Sequence, residues 1–255
     1  MKKAYPFWIL LLILLVACQN QPKPKVSFYY WKTNFKLTIE EKRVLKENKV
    51  TKMYIRYFDV GMKTNEALPL LPIVFKEQPE NLEIVPVVFI KNEVMLNDSV
   101  SINDLSHKIQ NLIIQINKKN NIHIEEIQLD CDWTPRSKDK YLSFVSVFKK
   151  SFKGVLSATI RLHQVKYFEK TGIPNVDKGV LMYYNMGNIK ADDNLIYDKN
   201  IAKKYIENLH KYPLALNLAL PIYSWIIQKR NNNIIALYSK MNTNYLYSSN
   251  DFKSI

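Results

Sequence analysis

The chain has 255 residues, is 47% hydrophobic and 12% aromatic, and holds Gly 5, so it can bury a core and is neither disordered nor collagen-like. It contains no Walker loop and no GxGxxG fingerprint, which leaves nucleotide-cofactor chemistry without a motif, and no cofactor is expected. Its charge of +14 invites a nucleic-acid reading, but arginine occurs only at Arg43, Arg56, Arg136, Arg161 and Arg230, and the lysines are spread along the chain without interleaved aromatics.

The N-terminus reads as an export signal. Lys2 and Lys3 precede an apolar run, residues 8–17, too short for a stable membrane span. Leu15-Val16-Ala17-Cys18 resembles the bacterial lipobox, which implies that residues 1–17 are removed and that Cys18 carries the lipid. Residues 18–25 then form a polar, proline-containing tether, and 26–255 the folded domain. The expected location is the cell envelope, anchored to a membrane and facing the periplasm or the surface. Two lysines leave with the signal, so the net charge falls to +12 on an exported surface, where it no longer argues for nucleic acid. With Cys18 acylated only Cys131 remains, so no intramolecular disulfide can form.

Strand-like and helix-like runs then alternate. Strands are expected over residues 26–31, 52–58, 83–90, 126–132, 155–162, 179–184 and 213–220. Between them, Thr38 with Glu41 and Ser101 with Asp104 have capping-box spacing. Ile102, Leu105, Ile109, Leu112, Ile113 and Ile116 form a stripe at helical period. Ser137 is expected to open a helix through Phe152, and residues 198–211 another. Seven strands alternating with helices, undivided by a Gly- or Ser-rich linker, predict a (β/α)8-type TIM barrel that is incomplete or lacks a clear eighth strand. After Trp225 only a short helix over 231–240 and a weak strand at Tyr245-Leu246-Tyr247 are expected, so an eighth strand is not evident.

Barrel enzymes place their chemistry at the strand carboxyl ends. Trp31 ends the first strand, Asp59 follows the second, Glu93 follows the third, and Asp130, Asp132 and Trp133 end the fourth. Tyr184 and Asn185 end the sixth, and Tyr223 and Trp225 follow the seventh. Flat rings beside carboxylates and amides suit a carbohydrate ligand, although large aromatics can equally fill βα junctions. Asp130 and Asp132 share one face of their strand while Ile127, Leu129, Cys131 and Trp133 share the other. The carboxylates are therefore expected in the lumen, with their protonation equilibria pushed apart, and Trp133 is expected toward the helices. No histidine has metal-ligand spacing, so no metal site is expected.

The run from Leu129 to Thr134 resembles the end of the strand-four signature DxxDxDxE of glycoside hydrolase family 18, the chitinase-like barrels. Met182-Tyr183-Tyr184-Asn185 resembles that family's MxYD, and Leu220-Pro221-Ile222-Tyr223 its LPxYG. The resemblance implies that Asp130, Asp132 and Tyr184 are candidate catalytic or substrate-orienting residues, and that Trp31, Asn185, Tyr223 and Trp225 bind substrate. It also exposes a departure: Thr134 stands where the family has its glutamate acid, and threonine cannot protonate a glycosidic oxygen. The expectation is a lipoprotein barrel that binds a glycan without the standard acid. The alternative is an active hydrolase using Asp132 and Asp130 with a relocated donor such as Glu93 or Asp59. A third reading, a barrel whose partner is a protein, stays open.

Overall fold

The computed structural model describes residues 23–186, 196–230 and 233–239. The signal, Cys18 and the strand candidate at 245–247 lie outside the described residues.

Seven parallel strands pair in chain order. They are β1 (Phe28–Tyr30), β3 (Lys52–Lys63), β6 (Glu83–Ile90), β7 (Glu126–Asp130), β8 (Val155–Arg161), β9 (Lys178–Met182) and β10 (Leu216–Ala219). All seven fall on the runs expected from the sequence. Two short strands, β2 (Asn34–Phe35) and β5 (Val74–Phe75), pair with each other, and β4 (Glu66–Leu70) turns back antiparallel onto β3. The helices are α1 (Ile39–Glu47), α2 (Asn92–Leu96), α3 (Ile102–Asn120), α4 (Lys138–Ser151), α5 (Leu162–Lys166), α6 (Phe168–Thr171) and α7 (Lys199–Ile206). Among the described residues no helix is long and apolar enough to cross a membrane.

Local chemistry starts these helices where the sequence says. Thr38 and Glu41 close a reciprocal capping box on α1, and the Ser101 hydroxyl accepts from the Asp104 N–H at the head of α3. Leu105, Ile109, Ile113 and Ile116 of α3 are buried against the sheet, and Tyr57 on β3 donates to Asn117 at 2.8 Å. Helix α3 ends on Asn121 in the left-handed conformation. The core therefore lies between the outer face of the sheet and the helices.

The sheet curls about its inner face. Tyr29 on β1 packs against lumen residues of β3 and β6 on one side and of β9 and β10 on the other. The Tyr54 hydroxyl on β3 donates to Glu126 on β7 across the lumen at 3.4 Å. Among the described residues no strand pairs the outer side of β1 or of β10, so the barrel is incomplete. The helix expected over 231–240 is not formed: Asn233–Ser239 is a strand, β12, antiparallel to β11 (Trp225–Arg230). The alternating Ile234, Ala236 and Tyr238 fit a hairpin as well as a helix turn, and pairing with the Ile226-Ile227 run decides between them.

Candidate functional site

The lumen is polar along β7. Strand alternation sends Ile127, Leu129, Cys131 and Trp133 outward into the core and Glu126, Gln128 and Asp130 inward. Asp132 lies just past the strand end, on the same side as Asp130. Trp133 is 1% exposed, stacks on Tyr141 of α4 at 4.7 Å and donates to the Thr171 carbonyl at 2.8 Å, so it fills a strand–helix junction. Burial pushes the Cys131 thiol far above its ordinary range, which leaves it inert.

Each inward residue of β7 has a partner on β8. At the floor, Glu126 accepts from Ser157 at 2.7 Å, from Lys178 at 2.7 Å and from Lys52 at 3.1 Å. Burial opposes its charge, but Lys178, Ser157 and Lys52 outweigh burial and hold its carboxyl below the usual range. One step up, Gln128 accepts from the Tyr29 hydroxyl at 2.7 Å and donates to Ser157. Above that, Asp130 accepts from Thr159 at 2.5 Å and from Arg161 at 3.4 Å. Arg161 also donates from Nε to Asp132.

Arg161 changes what the two aspartates can do. The side chain of Asp130 is 4% exposed and that of Asp132 is 53%, and a guanidinium sits between them. Burial raises the Asp130 carboxyl above its ordinary value, with Arg161 and Thr159 partly offsetting it. Like-charge repulsion, expected from the sequence to separate the two equilibria, ranks below these effects. Burial disfavours the Arg161 charge, yet the two aspartates more than compensate, and it stays cationic. The Tyr184 hydroxyl donates to Met182 Sδ at 3.2 Å, the ring packs edge-on to Tyr223 at 5.8 Å, and burial raises its hydroxyl.

The relocated donors named from the sequence are already engaged. Asp59 pairs with Arg56 at 2.7 Å, and this contact depends on a register shift between Arg56 and Phe58. The shift buries both Tyr57 and Phe58 in the core and brings residues three apart to one face. Glu93, at the head of α2, accepts the Met62 N–H at 3.2 Å. Thr134 is held at the head of α4: its N–H donates to Ser137 Oγ at 2.9 Å, and Ser137 in turn donates to Asn92.

Two aromatic groups stand at the rim. Trp31, 43% exposed, stacks parallel to Tyr29 at 6.1 Å. Trp225, 40% exposed, lies 5.5 Å from Tyr223, whose hydroxyl donates to Asn185 Oδ1 at 3.0 Å and is pushed up to about 12 by burial. Asn185 has φ of 57°, a left-handed position that asparagine tolerates. Among the described residues no group of His, Cys, Asp and Glu is disposed to hold a metal.

The sequence reading missed Arg161, Thr159, Gln128, Tyr29 and Tyr54. Its available signal was the matched period-two polar stripe, Glu126-Gln128-Asp130 on one strand and Ser157-Thr159-Arg161 on the next.

No protein-family model and no curated protein matches the chain. Solved structures do. The spore cortex-lytic enzyme SleL of Bacillus cereus is 16% identical, with a TM-score of 0.54 over 84% of this chain and 55% of that one. The chitinase-like agglutinin of Robinia pseudoacacia is 13% identical, with a TM-score of 0.51 over 78% and 70%. The class V chitinase of Nicotiana tobaccum is 11% identical, with a TM-score of 0.50 over 77% and 66%. The chain thus spans little more than half the length of SleL. The fold is that of the chitinase-like barrels of glycoside hydrolase family 18, in a divergent and incomplete form.

Proposed function

We propose that this protein is a lipid-anchored envelope lipoprotein whose barrel binds a glycan at the strand carboxyl ends without hydrolysing it. The observation that carries the reading is the Arg161 clamp. A guanidinium bonded to both Asp130 and Asp132 neutralises the pair that would otherwise position a substrate, and Thr134 offers no acid beside it. Trp31, Tyr223 and Trp225 remain exposed at the rim, with Asn185 as a polar partner, and rings of this kind stack on the C–H faces of pyranoses.

Two proteins of this fold bear on the ligand class. A class V chitinase from Nicotiana tobaccum, as its E115Q mutant, is described in complex with NAG4, and the Robinia pseudoacacia protein is a chitinase-like agglutinin. The hydrolase alternative needs a proton donor near Asp132, and Glu93 and Asp59 are each committed to another partner.

The test is titration with chito-, peptidoglycan- and plant-type oligosaccharides, followed by tryptophan fluorescence and product analysis. Binding without product supports the reading. Product formation abolished by Asp132→Asn replaces it with the hydrolase, and no binding to any glycan removes both. The anchor has its own test: labelled lipid is incorporated into the wild-type chain and not into Cys18→Ser.

A further inference from the structure

All seven principal strands are parallel, so the helices that carry the chain back to the start of the next strand, α1, α3 and α4 among them, end at the same end of the barrel, opposite the rim. That floor end is basic. Lys46 and Lys49 lie at the end of α1, Lys118 and Lys119 in the last turn of α3, and Lys150 and Lys153 at the end of α4. All six are exposed, and none is in an ion pair among the described residues. The floor carboxylates Glu47, Glu83, Glu126 and Asp177 are by contrast each paired with a cation, leaving Glu80, Glu125 and Glu207 to oppose these lysines.

The rim end differs. There the helices begin, with Glu40, Glu41, Glu93, Asp104 and Asp139 in their first turns; Lys32, Lys42, Lys108, Arg56 and Arg161 are paired, while Lys36, Lys63, Lys76 and Arg136 are exposed and in no ion pair among the described residues, interspersed with these acids. A helix macrodipole favours basic residues in a last turn, which accounts for part of the asymmetry. It does not account for Lys49 and Lys153, which lie outside the helices. Nor does it account for Lys23 and Lys25, exposed on the segment that enters β1 from the same end.

The geometry points to the floor end as a docking surface for the anionic headgroups of a phospholipid membrane, holding the rim and its aromatic groups away from the bilayer. The segment entering β1 fixes the partner. Residues 18–25 reach at most about 28 Å, so a lipid on Cys18 keeps this end within reach of the bilayer. Each lysine near an anionic surface adds attraction to what a lipid chain supplies. The inference rests on the lipid-anchor reading for the identity of the surface, and its test separates the two.

The Cys18→Ser chain, which cannot be lipidated, is cosedimented with vesicles of phosphatidylglycerol and phosphatidylcholine in equal parts and with phosphatidylcholine alone. A preference for the anionic vesicles is expected, reduced by added salt. It falls at least about tenfold when Lys118, Lys119 and Lys150 are changed to Glu. The same charge change around the opposite end, Lys36→Glu with Lys63→Glu and Lys76→Glu, is expected to leave it largely intact. Circular dichroism verifies that both triple variants fold. Absence of an anionic preference overturns the proposal, and so does equal loss in the two variants, which would make it an effect of net charge. Lysine-dependent binding to dextran sulfate without a vesicle preference also overturns it, in favour of an acidic polysaccharide. Binding of the wild-type protein to phosphatidylcholine alone beyond that of Cys18→Ser reports the anchor, so failure of the anchor is read independently of the patch.

Discussion

Glu126 and Asp130 project from the same side of β7, both are buried, and their carboxyls shift in opposite directions because their neighbours differ. Glu126 is held below its unfolded value, so its contribution to stability is present above about pH 4.3 and lost as pH falls through the folded value. Glu126→Gln should therefore cost most at neutral pH, with the difference from wild type shrinking in acid. Asp130 is raised, so its contribution is full below about pH 3.9 and lost as pH rises through the folded value. The difference between Asp130→Asn and wild type should accordingly move in favour of asparagine as pH rises above about 4. Urea midpoints measured across pH check both signs. Arg161→Met removes the clamp and leaves the Asp130 carboxylate buried beside Thr159 alone, at a cost of about 3 kcal/mol at neutral pH by chemical denaturation. Adding Asp130→Asn to Arg161→Met should recover much of it. The tryptophans divide in the same way: Trp133→Ala is expected to cost about 3–5 kcal/mol. Trp31→Ala should leave stability within about 1 kcal/mol, its ring being largely exposed.

The strands were legible as elements because runs such as residues 83–90 and 155–162 are dense in β-branched residues and are bounded by charged or turn residues. The parity of β7 was legible too, since alternation alone separates Asp130 and Asp132 from Trp133. What the sequence hid depends on pairing between distant segments. β3 continues beyond Phe58 to Lys63 because β4 folds back onto it, and the register shift that places Asp59 beside Arg56 has no local signal. Arg161 could be recognised as a polar residue at a strand end, but its place between two aspartates follows from the pairing of β7 with β8 and the curl of the sheet. Gly179 tests the packing of β9 on β10. A Cβ there would lie 2.5 Å from Leu216 Cδ2 and 2.9 Å from Ile160 Cγ1. Gly179→Ala is expected to destabilise by about 1–3 kcal/mol in thermal or urea unfolding, because two packed side chains must shift to admit a methyl group.

For the whole molecule, the +14 charge that first suggested nucleic acid resolves into an uneven distribution, with a cluster of unpaired lysines at the floor and cations interspersed with the acids of the helix starts at the rim. The aromatic and amide groups occupy the other end, so one end suits an anionic surface and the other a neutral, hydroxyl-rich ligand. The proposed binding role needs exposed rings and hydrogen-bonding groups but no acid at the position of Thr134. The most direct measurement is a single titration of the wild-type chain, Trp225→Ala and Asp132→Asn with chito-oligosaccharide, read for binding by calorimetry and for cleavage by product analysis. Saturable binding by the wild type, an affinity about tenfold weaker in Trp225→Ala, and no cleavage product from any of the three is the predicted result. Cleavage by the wild type that disappears in Asp132→Asn would contradict it.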